Sequence, residues 1–477
     1  MRDAPHFLLG QTLRQPRDVS PTMTVLDYLR TVESLHGTKE GCAEGDCGAC
    51  SVVLGEVDGD HRIRYRTVNA CILFVPALDG KQLLTVEHVS APDGQPHPVQ
   101  QAMVDCHGSQ CGFCTPGFVM SLFALHHGDA EVDRTAVTDA LAGNLCRCTG
   151  YRPIVDAALA AGRAEADQGS VAALAGLDTG ATLSIHHGTQ SYIAPRSVAE
   201  LAEVLEQNPD ATLLAGGTDV GIWVTKQHRA LSAIIALDRV AELQTIATSG
   251  DTLQIGAGAL YEDVLPVLQR YFPDFGVLLH RLGSRKIRNR GTIGGNIGNA
   301  SPIGDTAPVL IALGATLLLR RGAVQRSIPV EDFFVGYRKT ALEPGEFIER
   351  IDIPLPKSGQ EFRCYKVAKR FDQDISAVCG AFSLHIENGI LTAIRIGFGG
   401  MAATPSRARA VEQALLDQPW TEATVRAGMA AMDNAFTPIS DQRASAAYRS
   451  RVARNLLFKA WLETSGAPAR TRLAVAP

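Results

Sequence analysis

Apolar positions along the chain change their period several times, and each change marks a different kind of structure. Residues 7 to 87 alternate short apolar runs, at 51–54, 71–75 and 83–86, with Gly-rich turns, while 25–35 carries helical spacing. This mixture predicts a small α+β domain over 5–90. From Pro98 the period becomes helical, with helices predicted at 99–105, 118–126, 135–142 and 153–165, so a helical bundle is expected over 91–165. Residues 166–190 are rich in Gly, Ala and Ser with weak periodicity and read as a linker. Ser197 and Glu200 then form an S-x-x-E capping box, and alternating strands and helices predict a larger α+β domain over 191–356. The last segment, 357–477, has strands expected at 381–386 and 391–398 and helices through Trp461. The expected class is α+β and multidomain.

Length agrees, since 477 residues exceed the ~100 to 200 of a usual single domain. Hydrophobic content of 45%, charged content of 20% and mean hydropathy of +0.03 are those of an ordinary globular protein. A net charge of -5 and a pI near 6.2, without a long basic run, argue against a nucleic-acid or anionic-membrane surface. No stretch approaches the ~18 apolar residues of a spanning helix, and the first segment lacks a signal-peptide pattern. No membrane association and a cytoplasmic location are therefore expected.

Eleven cysteines narrow the chemistry, because nine fall between residues 42 and 148 in tight groups, which in a reducing compartment points to metal rather than disulfides. Cys42, Cys47 and Cys50 have the C-x4-C-x2-C spacing of a plant-type [2Fe-2S] site, with Cys71 as the candidate fourth ligand. Gly41, Gly45 and Gly48 free the backbone to wrap such a cluster. Cys111 and Cys114, with Cys146 and Cys148, form a second group whose spacing alone suits zinc and iron-sulfur equally. Cys106, Cys364 and Cys379 read as inert thiols. No Gly-x-Gly-x-x-Gly fingerprint follows a strand. Two Gly-rich segments, Leu214-Ala215-Gly216-Gly217-Thr218-Asp219-Val220 and Gly291-Thr292-Ile293-Gly294-Gly295-Asn296 running on to Asp305, are most simply turns when read alone. Their backbone N–H groups nevertheless suit a pyrophosphate.

The stretches Gly37 to Cys50, Gln110-Cys111-Gly112-Phe113-Cys114-Thr115-Pro116-Gly117 and Gly143-Asn144-Leu145-Cys146-Arg147-Cys148-Thr149-Gly150-Tyr151-Arg152-Pro153 closely resemble the iron-sulfur modules of the xanthine dehydrogenase and aldehyde oxidase family of molybdenum hydroxylases. The resemblance spans nearly the whole chain. It implies a ferredoxin-like β-grasp domain, a helical-bundle [2Fe-2S] domain, an FAD-binding α+β domain and a C-terminal α+β flavoprotein domain. It makes Cys111, Cys114, Cys146 and Cys148 ligands of a second [2Fe-2S] cluster nearer the molybdenum cofactor, with the first cluster nearer the flavin. Gln110 is then implied to reach the pterin in a partner subunit. Both Gly-rich segments resemble the family's FAD motifs, which implies FAD binding by Leu213, Leu214, Ala215, Gly216, Gly217, Thr218, Asp219 and Val220, completed by Leu282, Gly291, Thr292, Asn296, Asn299 and Asp305, with Ile348 and Lys366 touching the flavin.

Phe333-Phe334-Val335-Gly336-Tyr337-Arg338-Lys339-Thr340 resembles a segment typical of the xanthine dehydrogenase branch, and Gly399 to Pro405 resembles the flavoprotein C-terminal domain generally. Lys366 to Asp374 resembles a flavin-side loop, with Gln373 where vertebrate relatives place an acid. The family's catalytic molybdenum module is larger than this chain. The resemblance thus implies an electron-transfer subunit, with no catalytic residue of its own beyond the flavin site, serving a large molybdenum-cofactor subunit as an α2β2 heterotetramer. That assembly would oxidise hypoxanthine and xanthine, with noncovalent FAD passing electrons to NAD. Another branch, such as an aldehyde or carbon monoxide dehydrogenase, and a zinc-stabilised binding protein are the alternatives.

Overall fold

Phe7, Leu9, Val52, Leu54, Val68 and Leu83 sit on alternating strand positions and bury together against Val25, Leu26 and Leu29, which is why the N-terminal segments pair. In the computed structural model, which describes residues 1–91, 93–164, 171–469 and 471, they form a five-stranded mixed sheet. Its order is Thr12–Arg14, Phe7–Leu9, Gln82–Leu84, Ser51–Val57, Ile63–Asn69, with Phe7–Leu9 and Gln82–Leu84 parallel. The apolar run at 71–75 is no strand. Cys71 to Phe74 form a loop and Val75–Leu78 a 3-10 helix, since Pro76 has no N–H for a ladder. The helical segment is split into Val25–Asp27, capped by the Thr24 hydroxyl, and a wider π turn, Tyr28–Val32. There Tyr28 donates to Glu33 at 2.5 Å, and Arg14 also bonds Glu33.

The bundle helices are Pro98–Asp105, Thr115–His126, Arg134–Leu141 and Arg152–Ala161. Thr115–His126 is buried almost all round, and its Phe118, Val119 and Leu122 share a core with Val53 of the sheet. A further sheet has the order Leu183–His187, Gln190–Ala194, Ala233–Ala236, Thr212–Leu214. Of the segment read as linker, 166–170 lie outside the described residues, while Val171–Ala175 is a helix and Leu183–His187 a strand. Leu174 and Leu177 bury against Leu8 and Ile63, a tertiary contact that weak periodicity does not reveal. Ser197 caps its helix through the Glu200 N–H, but the Glu200 carboxylate takes the N–H of Arg196, so the capping box is half formed.

These elements, residues 1–240, form one compact unit together with 283–291. The short returning helix Arg285–Arg288 is held by polar bonds: a half-buried one from Arg288 to Asp139 at 2.8 Å, and buried ones from Asn289 to the Thr67 carbonyl at 2.9 Å and from Lys286 to Asn144 at 2.5 Å.

The other unit comprises 241–282 and 292 onward. Its first sheet, Ile246–Ser249, Thr252–Gly256, Phe347–Pro354, Thr316–Arg321 and Val324–Pro329, is antiparallel throughout. A second antiparallel sheet has the order Gln360–Val367, Val378–Glu387, Ile390–Gly399, Ser406–Arg407, with Arg409–Leu415, Glu422–Ala431 and Ala446–Thr464 as its helices. The fully buried helix Thr306–Leu313 fits against this sheet because Gly397 has no side chain, and a Cβ there would lie 2.1 Å from the Pro308 carbonyl. No helix of the described residues is long and apolar enough to cross a membrane.

Candidate iron-sulfur and flavin sites

The 42–50 loop turns on left-handed backbone at Ala43, Gly45 and Gly48, which aims the N–H groups of Glu44, Asp46 and Cys47 at the Cys42 sulfur, at 3.5, 3.3 and 3.3 Å. The Cys47 and Cys71 thiols also reach that sulfur and pull Cys42 far below the usual thiol range, while Cys71 meets Cys50 too. A Cβ on Gly41 would lie 2.7 Å from the Cys47 sulfur, so the loop leaves no room there for a side chain. Four converging sulfurs need a cation to be thiolates together, and backbone N–H donors to sulfur are the setting of a [2Fe-2S] cluster. The residues fit that group.

The second quartet stands at helix ends: Cys114 precedes Thr115–His126, and Cys146 and Cys148 precede Arg152–Ala161. Cys148 reaches Cys111, and Cys146 reaches Cys114, which burial and that neighbour push up to about 12. Thr149 donates its N–H to the Cys146 sulfur at 3.4 Å and holds its hydroxyl at 3.2 Å. Cys111 and Cys148 are exposed, as is Gln110, and Phe113, Leu145 and Tyr151 expose apolar surface on the same loops. This set fits a metal group open to one side. Cys364 and Cys379 are buried, whereas Cys106 is half-buried, and no disulfide joins any cysteine.

The two quartets are tied by direct bonds that the sequence does not announce. Leu145 donates its N–H to the Cys47 carbonyl at 2.9 Å, and Asn144 donates to the Gly48 carbonyl at 3.1 Å. Asn144 in turn accepts from Ser121 at 2.7 Å and from Lys286 at 2.5 Å. Burial pushes the Lys286 ammonium down to about 7. Gly48 takes φ of +70°, and a Cβ there would lie 2.0 Å from the Gly143 carbonyl. Gly48→Ala is therefore expected to destabilise this region by about 2–4 kcal/mol, from the left-handed backbone and overpacking together. Urea titration followed by the visible cluster absorbance checks this. Gly59→Ala, with nothing within 4 Å, is the control that should not move.

The flavin residues expected from the sequence divide between the units. In the first, Leu213 and Leu214 end the strand Thr212–Leu214, and 215–219 form a half-open turn into the helix Val220–Thr225. Gly216 faces the Arg290 carbonyl so closely that a Cβ would sit 1.7 Å from it, and Gly291 is buried next to that carbonyl. In the second, Thr292 caps the helix Ile293–Gly298 by accepting the Gly295 N–H at 2.8 Å. Gly295 and Gly298 are exposed and Asn296 and Asn299 partly so, which leaves one open small-residue face able to lie against a cofactor. Asn296 accepts from Thr306 at 2.5 Å, Leu282 is half-buried and Ile348 buried. Asp305 and Lys366 are both buried and bonded to each other at 2.5 Å, with Ser376 bonded to both. In the 366–374 loop Arg370 pairs with Asp374, and Arg281 lies over the Phe371 ring.

Family models match in the same order as these structures. A 2Fe-2S iron-sulfur cluster binding domain covers 11–76, a [2Fe-2S] binding domain 85–159, the FAD binding domain in molybdopterin dehydrogenase 184–356, and the CO dehydrogenase flavoprotein C-terminal domain 363–464. A carbon monoxide dehydrogenase chain from Hydrogenophaga pseudoflava is 30% identical with a TM-score of 0.55, and 58% of this chain covers 98% of that one. A quinoline 2-oxidoreductase chain from Pseudomonas putida 86 is 28% identical with a TM-score of 0.53, over 58% of this chain and 98% of that one. The chain belongs to the molybdenum hydroxylase family and carries its [2Fe-2S] and FAD-binding, electron-transfer part. Xanthine dehydrogenase from Emericella nidulans is 35% identical over 91% of this chain, and xanthine dehydrogenase from Drosophila subobscura 33% over 93%. The chain spans 36% and 38% of the length of those two relatives.

Proposed function

We propose that this chain serves a xanthine dehydrogenase, receiving electrons from a separate large subunit that holds the molybdenum cofactor and oxidises hypoxanthine and xanthine, and delivering them to NAD in the cytoplasm. The observation that carries this reading is similarity to xanthine dehydrogenases running through both [2Fe-2S] domains and both flavoprotein domains, over 91% of the chain. When bound, the groups supply the redox chemistry, which the resemblance orders as the 111/114/146/148 cluster, the 42/47/50/71 cluster, FAD and then NAD.

The chain's own residues hold and separate these groups. Cys42, Cys47, Cys50 and Cys71 would hold one cluster, and Cys111, Cys114, Cys146 and Cys148 the other. Leu145 and Asn144 fix the spacing of the two quartets through the Cys47 and Gly48 carbonyls. The exposed loops bearing Gln110, Phe113, Leu145 and Tyr151 suit the large subunit as a partner, since they offer apolar surface beside an open metal site. An α2β2 assembly follows from the family resemblance. For FAD we propose Leu213 to Val220 and Gly291, with Leu282, Thr292, Asn296, Asn299, Asp305, Ile348 and Lys366.

A second reading is supported by a nicotinate hydroxylase from Emericella nidulans that is 30% identical over 95% of this chain. One assay separates the two. The tagged chain, captured with its partner from source cells, is given xanthine, hypoxanthine, nicotinate or an aldehyde with NAD or oxygen. Purine-dependent NADH formation at 340 nm is expected, and the chain freed of its partner should still oxidise NADH with an artificial dye. Turnover of purines with oxygen alone defeats NAD as acceptor, and turnover of nicotinate without purines moves the substrate assignment to the second reading.

A further inference from the structure

We propose that His97, His126 and His127 form a binding site for a borderline divalent metal ion, Zn²⁺ above all, separate from both cysteine quartets. One ring nitrogen of each lies within 4.8 Å of the others. Their ring centres form a nearly equilateral triangle, 5.2 Å from His97 to His127 and 5.1 Å on each of the other two sides. Three imidazoles on a tetrahedral zinc ion, with Zn–N of about 2.0–2.1 Å and the ring centre about 1.1 Å beyond, place their centres about 5.1–5.2 Å apart. The triangle has the size of a three-histidine site.

The position in the fold keeps this site away from the clusters. His126 ends and His127 follows the helix Thr115–His126, whereas Cys114 precedes it. At a rise of about 1.5 Å per residue, those twelve residues separate the two ends by about 18 Å. The negative end of that helix favours a cation. His97 comes from the turn before Pro98–Asp105, and Phe123 and Tyr65 pack on His127, with centres 4.5 and 5.6 Å away.

Proton placement also serves metal binding. His126 donates Nδ1–H to the Gly162 carbonyl at 2.7 Å, which fixes the tautomer and leaves Nε2 with its lone pair. The Nε2 atoms of His97 and His127 are 3.0 Å apart and share one proton, close to the about 3.3 Å spanned by two nitrogens on one tetrahedral zinc ion. His97 Nδ1 accepts the Val99 N–H at 3.2 Å, so ligation through Nε2 must move the ring proton to Nδ1 and give up that bond. Gln100 still accepts the His97 N–H at 2.9 Å, so the helix start stays capped. Burial, then the two neighbouring rings, push His97 down to about 4, which keeps it neutral and able to ligate. Neutral imidazoles select zinc, copper or nickel over magnesium and calcium.

The test uses the full chain with its clusters and flavin in place, stripped of loose metal by a mild chelator that leaves the visible spectrum unchanged and then titrated with zinc chloride. Uptake of one zinc per chain is expected, with X-ray absorption showing nitrogen and oxygen ligands at about 2.0–2.1 Å and no sulfur at about 2.3 Å. His97→Ala and His127→Ala should each weaken binding by at least the factor of about 10–100 that loss of a ligand's outer-shell partner causes, without changing the iron content. Should those variants fail to fold, His127→Cys keeps a ligand and is expected to bind zinc with one sulfur added to its shell. Sulfur ligands in the unaltered protein would place the zinc on the cluster cysteines and overturn the proposal. Uptake that is absent, or equal in the unaltered protein and the alanine variants, overturns it as well.

Discussion

Cys148→Ser is expected to halve the iron of the protein, from about four atoms per chain to about two, and to remove one of two distinct [2Fe-2S] signals in the EPR spectrum of the reduced protein. Cys148 is exposed, so the substitution empties no core position and the fold should persist. The sulfurs fall into two groups, one around Cys42 and the other pairing Cys111 with Cys148 and Cys114 with Cys146. Their surroundings differ: Cys42 takes three backbone N–H groups, whereas Cys146 takes Thr149. Hydrogen bonding and exposure set the potential and signal of a cluster, so two species are expected. Cys106→Ser, a half-buried thiol outside both quartets, should leave all the iron in place. Loss of both signals in a protein that stays folded would rule out two independent sites.

The spacing of Cys111, Cys114, Cys146 and Cys148 left zinc and iron-sulfur equally open without the family resemblance, whereas the grouping of Cys42, Cys47 and Cys50 was legible because a loop that wraps a metal carries its thiols and glycines within a few residues. The helix periods were legible for the same reason, and each bundle helix lies within a few residues of its expected place. What stayed hidden depends on partners far along the chain. The apolar run at 71–75 has the composition of a strand, yet it supplies Cys71 from a loop, and Pro76 turns it into a 3-10 helix. Lys286, Arg288 and Asn289 carry no motif that marks them as buried. Their side-chain bonds run to Asn144, Asp139 and Thr67, more than 140 residues earlier. Resemblance marked Asp305 and Lys366 as flavin residues, but nothing in the sequence shows that they are bonded to each other. The histidine triangle joins His97 to residues about thirty positions away, a separation at which no motif exists to be seen.

Lys366→Met is expected to cost about 3–5 kcal/mol of stability, the largest loss foreseen for any single change here, because it strands a buried carboxylate. Asp305 is 5% exposed and stands before Thr306–Leu313, the fully buried helix of its unit. Its carboxylate takes the Lys366 ammonium at 2.5 Å and the Ser376 hydroxyl at 2.5 Å, and Ser376 also accepts from Lys366 at 2.8 Å. Without the ammonium, one hydroxyl bond and the charge of Arg281 are left to compensate a carboxylate that water scarcely reaches. Removing both charges together, as Asp305→Asn with Lys366→Met, should recover most of the loss, since a buried pair is worth little against neutral groups of similar size. Urea unfolding of the two single variants, the double variant and the parent closes the cycle, and a coupling near zero would deny the ion pair. The same four proteins test the flavin assignment. If Asp305 and Lys366 also contact FAD, the double variant regains its stability but not its flavin, whereas flavin content that recovers along with stability would leave the pair a purely architectural role.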